Sequence, residues 1–367
     1  NDLEMIDYAG VGVAMGNAVE ALKQKVPVIT EVEVATSVME SSIIGVTGTN
    51  GKTTTTSIIY EILNQQRVSG TAYALGNIGV PASQMALSLK PIDDAVIELS
   101  SFQLMGTPTL KPNIAVLTNL YSAHLDYHGS QEAYEQAKMN IVINQTSKDV
   151  TVYNKDQPHL EKLIKDNSKA QLLPFSRKEY LENGTSVKEG QIYFKGEVVA
   201  KVSDIFIQGF HNLENMLAAV SVAKLKGVSN EGIQAVMHQF HGVKHRTQFV
   251  GKHKGRIFYN DSKATNIEAT ENALAGFHQP VILLAGGLDR GNSFDRLVPD
   301  FKKHVKALIT FGQTADLMVE VAQKAGITQI KKVKDVTEAV PTAYALSAKD
   351  DIILLSPAAA SWDQYDN

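Results

Sequence analysis

The clearest indication of the fold is the segment Ile43-Ile44-Gly45-Val46-Thr47-Gly48-Thr49-Asn50-Gly51-Lys52-Thr53-Thr54. Its first five residues are mostly β-branched, which predicts a buried strand, and the residues after Thr54 keep the apolar spacing of a helix. The segment between them, Gly48–Thr54, places glycines where main-chain N–H groups can approach an anion at a helix N-terminus. We therefore expect a phosphate-binding loop.

Within this loop, Lys52 can reach the β- and γ-phosphates of a nucleotide, and the hydroxyl of Thr53 can ligate Mg²⁺. The general phosphate-loop pattern would require glycine at position 46, which is Val46 here, so only the shorter form Gly-Thr-Asn-Gly-Lys-Thr fits. A glycine-rich turn without a ligand is the alternative. The predicted ATP-binding residues of the loop are Gly48, Thr49, Asn50, Gly51, Lys52, Thr53 and Thr54.

Short β-branched runs alternate with helical stretches along the rest of the chain, which indicates βαβ units and mostly parallel sheets. Further strands are predicted at Ala95–Leu99, Ile114–Thr118, Val281–Ala285, Ala307–Phe311 and Ile352–Ser356, helices at Gln131–Val142, Val319–Ala325 and Thr337–Ala345, and a hairpin at Gln191–Val199. The predicted fold class is α/β, with a P-loop-type, mostly parallel central sheet domain followed by a smaller Rossmann-like α/β domain. Helical patterning stops near Phe240-His241-Gly242, so we place the boundary between residues 26–240 and 241–367.

Composition restricts the function further. The 367 residues carry a net charge of -4, which gives no sign of a nucleic-acid partner, and they contain no cysteine, which excludes thiolate chemistry and Cys-ligated zinc. No apolar run approaches the roughly 20 residues that a bilayer span needs. We expect a cytoplasmic monomer that acts on small molecules, with no membrane partner.

Other segments, taken with the loop, resemble the Mur ligase and folylpolyglutamate synthase superfamily, and within it the D-glutamate-adding Mur ligases. The segments that carry the resemblance are Gly76–Gly79, Glu98–Leu104, His124–Gly129, His211–Asn215, His245-Arg246, Asn260–Asn266, Ala285–Gly291 and Ser356–Ser361. They occur in the expected order over roughly residues 26 to 367. Asp261-Ser262-Lys263-Ala264-Thr265-Asn266 discriminates best, because sister ligases and the folate enzyme carry other residues there.

The front of the chain differs from the rest. Asn1-Asp2 and the glycine-rich run Ala9–Ala18 resemble the last motif of Cof-type haloacid-dehalogenase phosphatases, and the ligase resemblance begins only after about Ala21. We interpret residues 1–25 as a foreign segment. A working phosphatase is not expected, because the sequence contains no upstream Asp-x-Asp nucleophile segment.

Three residues are predicted to support metal ions and catalysis together with Lys52. Glu98 ends a buried strand, where a lone carboxylate is costly unless it is paired or metal-bound. His124 and Lys138, taken alone, would be a surface histidine and an ordinary exposed lysine. The resemblance implies instead that Glu98 and His124 bind Mg²⁺, of which the family uses two ions, and that Lys138 is carbamylated by CO₂. A carbamate offers anionic oxygens, which hard cations prefer.

The resemblance also implies the reaction and the remaining site residues. The carboxylate of UDP-N-acetylmuramoyl-L-alanine would attack the γ-phosphate of ATP, and the amine of D-glutamate would then attack the acyl phosphate. The positions that match ATP-binding residues are Asn77, Asn212, Asn215, Arg246 and Asp261, of which Asn212 and Asn215 would lie near the adenine. The positions that match substrate-binding residues are Lys263, Thr265, Arg290 and Ser361. Arg290 departs from the lysine that is common there, which keeps the charge but changes its geometry.

Two family segments have no counterpart in this sequence. One is the N-terminal UDP-binding domain, apart from its last few residues, to which Ala21–Glu33 corresponds. The other is the aromatic and Arg-Gly segment that would follow Asn367. We therefore expect a truncated chain, and loss of remote binding energy can reduce turnover as well as affinity. Two alternatives to an active D-glutamate ligase stay open: a nucleotide-binding core without ligase activity, and a related Mur or folylpolyglutamate-type ligase.

Overall fold

The computed structural model describes residues 14–15, 28–65, 67–207, 209–291, 293–361 and 363. The segment interpreted as foreign, residues 1–25, lies outside the described residues except for the strand Ala14–Met15. The chain divides into two compact units, which are described separately. The first comprises the described parts of Asn1–Phe206 and Asn212–Phe240, and the second those of Ile207–His211 and His241–Asn367.

The elements alternate as the sequence predicts. The strands are β1 (Ala14–Met15), β2 (Val28–Ile29), β3 (Ser42–Thr47), β4 (Ala72–Gly76), β5 (Asp94–Glu98), β6 (Ile114–Leu117), β7 (Val150–Asn154), β8 (Gln171–Ser176), β9 (Thr185–Lys188), β10 (Gln191–Phe194), β11 (Glu197–Lys201), β12 (Gln248–His253), β13 (Arg256–Asn260), β14 (Val281–Gly286), β15 (Val305–Phe311), β16 (Gln329–Lys332) and β17 (Ile352–Leu355). The α-helices are α1 (Glu31–Val38), α2 (Lys52–Asn64), α3 (Ala82–Met85), α4 (Ser101–Met105), α5 (Leu125–His128), α6 (Gln131–Ile143), α7 (Pro158–Asn167), α8 (Phe210–Leu225), α9 (Asn230–Gln239), α10 (Ile267–Ala275), α11 (Val298–His304), α12 (Ala315–Lys324) and α13 (Val336–Leu346). Single 3₁₀ turns lie at Val202–Asp204 and Asp295–Leu297.

The first unit contains a nine-stranded sheet in the order β11-β10-β9-β8-β7-β6-β3-β5-β4. All neighbouring strands from β4 to β9 run parallel, and only β9-β10 and β10-β11 are antiparallel. Strand β3 lies between β5 and β6, with Gly45 opposite both Ile97 and Ala115. Since ligands of open α/β sheets bind beyond the carboxyl ends of the strands, the loops after β3, β4, β5 and β6 form one candidate edge.

Helix α6 packs against this sheet through a face that contains a lysine as well as apolar residues. Its buried residues include Met139 and Ile141, which join the same hydrophobic core as Ile97 and Leu104. Lys138, which directly precedes Met139, is buried as well. Taken alone, Lys138 would be an ordinary exposed lysine, but the helix presents this side chain to the sheet side rather than to solvent.

The second unit contains a six-stranded sheet in the order β12-β13-β17-β14-β15-β16, parallel except for β12-β13. The mostly parallel first sheet and the smaller α/β second unit confirm the predicted fold class. Predicted and observed element ends differ by a few residues. Helix α12, for example, begins at Ala315 rather than Val319, and β15 at Val305 rather than Ala307. None of the described helices combines the length and the apolar character that a membrane crossing requires.

Candidate active site

The phosphate loop joins β3 to α2, and its shape depends on Gly51. This residue precedes the helix with a φ of 79°, in the left-handed region that favours glycine. A Cβ atom at Gly51 would lie 2.2 Å from Oδ1 of Asn215. The loop therefore accepts only glycine here, and it leads directly into the first turn of α2, whose N–H groups have no intrahelical partners.

The ammonium of Lys52 lies inside the loop. Its Nζ donates hydrogen bonds to the main-chain oxygens of Gly48 at 3.0 Å and Thr49 at 2.8 Å. Thr53, at the start of α2, is buried, and Thr54 is partly buried. The loop thus concentrates a cation, helix N–H groups and a buried hydroxyl, which is the donor set that a bound polyphosphate requires.

Two residues after β6 hold the loop, and neither was predicted from the sequence. Asn119 exchanges hydrogen bonds with the main chain of Asn50, and the hydroxyl of Thr118 donates to the Asn50 oxygen at 2.7 Å. A signal was available, because a polar pair that directly follows a buried parallel strand is a candidate for the ligand edge of the sheet.

Lys138 is a buried cation beside the loop. Its side chain is 1% exposed, and its Nζ donates to the Gly48 oxygen at 2.8 Å and to Thr47 Oγ1 at 3.3 Å. The ring of Tyr134, whose hydroxyl bonds to Thr49 Oγ1 at 2.8 Å, lies 5.0 Å from Nζ. Burial lowers the pKa of Lys138 well below its ordinary value, the charge of Lys52 lowers it further, and Glu98 opposes this. The neutral amine is therefore unusually accessible for a lysine.

Glu98 ends β5 with an unsatisfied carboxylate oxygen. The residue is 1% exposed, and Oε1 accepts a hydrogen bond from Asn77 Nδ2 at 3.1 Å. The second oxygen, Oε2, is buried and has no hydrogen-bond partner among the described residues. An unpaired buried carboxylate oxygen costs free energy unless a cation satisfies it, so this atom suits a metal ion.

The acidic and histidine side chains do not complete a metal site by themselves. In the described part of the chain, no three His, Asp or Glu side chains converge on one point that could hold an ion. Mg²⁺ commonly keeps several waters and takes its other ligands from one or two carboxylates and substrate phosphates. The residues present therefore fit Mg²⁺ bound together with a nucleotide, and not a site built from protein ligands alone.

His124 lies on an exposed aromatic cluster formed with Phe102, Tyr127 and His128. It precedes α5 with a φ of 56°, and its ring packs edge-on against Phe102 with 5.1 Å between the centroids. Phe102 also packs against Tyr127 at 4.6 Å and His128 at 5.4 Å. The metal-binding role of His124 stays a prediction.

The two predicted adenine-end residues are buried near the start of α8. Asn212 and Asn215 are 7% and 4% exposed and lie three residues apart, on one side of the helix. Oδ1 of Asn215 accepts a hydrogen bond from Thr55 Oγ1 at 3.2 Å. The structure thus brings Asn215 against the beginning of α2, next to the phosphate loop, and the role of both residues at the adenine stays a prediction.

In the second unit, Asp261 follows β13 and is buried. It accepts hydrogen bonds from the Thr247 N–H at 2.9 Å and from Ser356 Oγ at 2.8 Å. Burial raises the pKa of Asp261 to about 6, against the effect of these hydrogen bonds and of Arg246. Arg246 has a buried Nε without a partner among the described residues, and its neighbours His245 and Thr247 adopt φ values of 68° and 40°. Such strain in a non-glycine segment is typical of functional sites.

The four predicted substrate-binding residues, Lys263, Thr265, Arg290 and Ser361, are all exposed. They lie in the loops that follow β13, β14 and β17, which are adjacent strands of the second sheet, so these loops share one edge. The Lys263 N–H donates to the His245 oxygen at 3.0 Å, which links this loop to the Arg246 segment. Their roles in substrate binding stay predictions.

The class of protein follows from this fold and from family comparisons. Residues 46–223 match the Mur ligase middle domain, and residues 245–359 match the glutamate ligase domain of Mur ligases. The chain belongs to the Mur ligase family.

Curated relatives specify the branch. A protein of Latilactobacillus sakei subsp. sakei is 57% identical over 94% of this chain and 76% of its own length, and one of Listeria innocua is 56% identical over 94% and 75%. Both are named UDP-N-acetylmuramoylalanine–D-glutamate ligase. This is the branch that the sequence motifs predicted.

Solved Mur ligase structures share the fold. MurF from Acinetobacter baumannii superposes with a TM-score of 0.66 at 20% identity, covering 87% of this chain and 74% of its own. MurF from Thermotoga maritima in complex with ADP gives 0.65 at 18% identity, covering 94% and 90%. At these identities the likeness supports the fold alone.

The front of the chain matches two families. Residues 1–41 match the haloacid dehalogenase-like hydrolases, as the first motif predicted. A UDP-N-acetylmuramoylalanine–D-glutamate ligase of Enterococcus hirae is 50% identical over 364 residues, which is 99% of this chain and 79% of that protein. The interpretation of residues 1–25 as a foreign segment therefore stays a prediction.

Proposed function

We propose that the chain joins D-glutamate to UDP-N-acetylmuramoyl-L-alanine with consumption of ATP, in the synthesis of peptidoglycan precursors. One observation carries the proposal: the phosphate loop, the unsatisfied Glu98 carboxylate and the buried Lys138 lie together at the carboxyl edge of one parallel sheet. The names of the relatives at 57% and 56% identity supply the two substrates.

The first step transfers the γ-phosphoryl group. A carboxylate oxygen of the acceptor attacks the γ-phosphorus, a C–O–P linkage forms, and the bond to the β-phosphate oxygen breaks to release ADP. Lys52 and the first-turn N–H groups of α2 hold the phosphate charge at the loop. Such electrostatic positioning accounts for most of the rate gain in phosphoryl transfer.

Mg²⁺, when bound, would neutralise negative charge on the phosphates. Oε2 of Glu98, at the end of β5, and the hydroxyl of Thr53, in the first turn of α2, would hold it, because both residues are buried. The predicted second ion would also draw on His124.

Carbamylation would replace the positive charge of Lys138, which repels Mg²⁺, with a negative charge that attracts it. The ammonium first loses a proton to water, the neutral amine then attacks CO₂ to form an N–C bond, and a second proton leaves to water, so that an anion replaces a cation. The buried position of Lys138 beside Gly48 favours this chemistry, because an ammonium there is poorly solvated.

In the second step, the amine of D-glutamate attacks the acyl carbon, and the phosphate leaves with the oxygen that the carboxylate contributed. Lys263, Thr265, Arg290 and Ser361 are proposed to bind the amino acid, whose two carboxylates suit cations and hydroxyls. Arg246 and Asp261 are proposed to hold the phosphates and ribose of ATP. Further proposed contacts to ATP come from Asn77, Asn212 and Asn215, the last two near the adenine.

A substrate screen tests the proposal. ADP release is measured with UDP-N-acetylmuramoyl-L-alanine and Mg-ATP, without amino acid and with D-glutamate, L-glutamate, L-lysine or a folate and L-glutamate pair. We expect release that needs both the nucleotide sugar and the D-isomer. Release with another amino acid, or Mg-ATP binding without any release, would contradict the proposed reaction and favour a related ligase or a nucleotide-binding core.

A further inference from the structure

The side chain of Asn119 forms a two-way pair with the main chain of the phosphate loop. Its Oδ1 accepts a hydrogen bond from the Asn50 N–H at 2.8 Å, and its Nδ2 donates to the Asn50 oxygen at 3.0 Å. The main-chain oxygen of Asn119 accepts from the Thr49 N–H at 3.0 Å. Asn119 is only 9% exposed, so these bonds compete little with water.

Thr118 adds a fourth hydrogen bond from the same strand end. Its Oγ1, on a residue that is 2% exposed, donates to the Asn50 oxygen at 2.7 Å. The loop approaches Thr118 so closely that a Cβ atom at Gly48 would lie 2.0 Å from Oγ1. The glycine at position 48 is therefore required by this contact, in addition to any contact with phosphate.

These bonds determine which loop groups can meet a polyphosphate. The N–H groups of Thr49 and Asn50 are already used by Asn119, so the main-chain donors left for a polyphosphate include those of Gly51 and the first turn of α2. The Asn50 oxygen, whose partial negative charge would oppose a phosphate, is held by two donors instead. The amide Nδ2 of Asn50 is buried without a partner among the described residues, which leaves it as a further donor.

We infer that Asn119, supported by Thr118, is a positioning residue that holds the phosphate loop in its nucleotide-binding shape before the nucleotide arrives. The inference rests on the proposed function, in that it assigns the loop to a nucleotide. Pre-organisation of this kind raises affinity because the loop does not have to be ordered during binding.

The replacement Asn119→Asp tests the inference through pH. A protonated carboxyl group has one donor and one acceptor and can reproduce the pair with Asn50, whereas the carboxylate would face the Asn50 oxygen without a hydrogen between them. We expect Asn119→Asp to bind Mg-ADP about 10- to 100-fold more weakly than the unchanged chain at about pH 8, and to recover part of that loss as the pH is lowered towards the pKa of the new carboxyl group, which is about 4 for an exposed aspartate and higher for a buried one.

Two further variants test whether a pH-dependent loss of affinity arises from the carboxyl group at position 119. Asn119→Leu lacks both groups, so its loss of affinity should not depend on pH beyond the dependence of the unchanged chain. Asn144→Asp is the matched control, because the Asn144 amide also holds loop carbonyls, those of Pro108 and Leu110, away from the phosphate loop. It should leave Mg-ADP affinity unchanged at every pH.

Calorimetric titration with Mg-ADP, with thermal melting to verify folding, separates the outcomes. Unchanged Mg-ADP affinity of either Asn119→Leu or Asn119→Asp at high pH would overturn the role of Asn119 while leaving the ligase proposal in place. Failure of the unchanged chain to bind Mg-ADP would overturn the proposed function and this inference with it.

Discussion

The ammonium groups of Lys52 and Lys138 donate hydrogen bonds to the same acceptor, the main-chain oxygen of Gly48, at 3.0 and 2.8 Å. Lys52 belongs to the loop itself, and Lys138 reaches it from α6. Two cations that share one acceptor in a buried setting repel each other, which is why the charge of Lys52 lowers the pKa of Lys138. Carbamylation of Lys138 would remove this repulsion and free Lys52 for phosphate.

Replacement of Lys138 by alanine should therefore lower turnover, in addition to any effect on nucleotide binding. We expect turnover of Lys138→Ala to fall by at least about 10²-fold, the scale for loss of one pre-organised electrostatic group. Bicarbonate or another small acid should restore part of it by occupying the vacated space, as measured by phosphate release. Lys162→Ala, at an exposed position of α7, is the control. Absence of rescue by any small acid would count against the carbamate.

Glu98 should matter more for metal binding than for folding. In Glu98→Gln the carbonyl oxygen can keep the hydrogen bond from Asn77, while the unsatisfied buried charge is removed. We expect the melting temperature of the free protein to stay equal or rise, its increase with Mg-ADP to shrink, and turnover to fall by about 10²- to 10³-fold.

The matched control for Glu98 is Glu135→Gln. Glu135 is also buried, but its carboxylate is paired with Gln131 and His159. This variant should lose stability and keep its response to Mg-ADP. Marked destabilisation by Glu98→Gln, with an unchanged Mg-ADP response, would show that Glu98 is a structural residue.

The phosphate loop should tolerate no side chain at position 51. Gly51→Ala combines a positive φ with a Cβ atom 2.2 Å from Asn215, whereas Gly190→Ala has a similar φ of 73° and nothing within 4 Å. Both variants should pay about 1–2 kcal/mol for the left-handed conformation. Only Gly51→Ala should also weaken Mg-ADP binding, by about 10-fold or more, because relieving such a clash costs about 1–3 kcal/mol. Equal affinities in a calorimetric titration would contradict this account of the loop.

Asp261 should make the stability of the protein depend on pH between its ordinary pKa of 3.8 and its folded value of about 6. In that interval the folded state keeps a proton that the unfolded chain releases, so the free energy of unfolding falls as pH rises. Asp261→Asn lacks this titration, and its stability relative to the unchanged chain should improve by about 2–3 kcal/mol from about pH 4 to about pH 7. Chemical denaturation at several pH values measures the difference, and a constant difference would refute the assignment.

Much of the fold followed from local patterns because the strands of a parallel sheet are buried on both faces and read as continuous apolar runs. The run before Gly48 and the run before Glu98 were therefore recognisable as strands of one sheet. The burial of Lys138 could not be predicted from helix periodicity, because periodicity does not tell which face the tertiary structure covers when a cation lies beside Met139 and Ile141. Asn119 was missed for a related reason: its pairing with Asn50 spans 69 residues and depends on β6 lying next to β3. The roles of His124 and of the second-unit residues depend on substrates, and they stay predictions.

The most direct test of the proposed reaction follows an oxygen atom. UDP-N-acetylmuramoyl-L-alanine labelled with ¹⁸O in its carboxylate is incubated with Mg-ATP and D-glutamate, and the released phosphate is analysed by mass spectrometry. We expect each phosphate to carry one carboxylate oxygen, because that oxygen bonds to phosphorus in the first step and leaves the acyl carbon in the second. We expect no labelled phosphate without D-glutamate. Phosphate that forms without the label would contradict the acyl-phosphate pathway, and absence of any product would contradict the assignment of this chain as an active D-glutamate ligase.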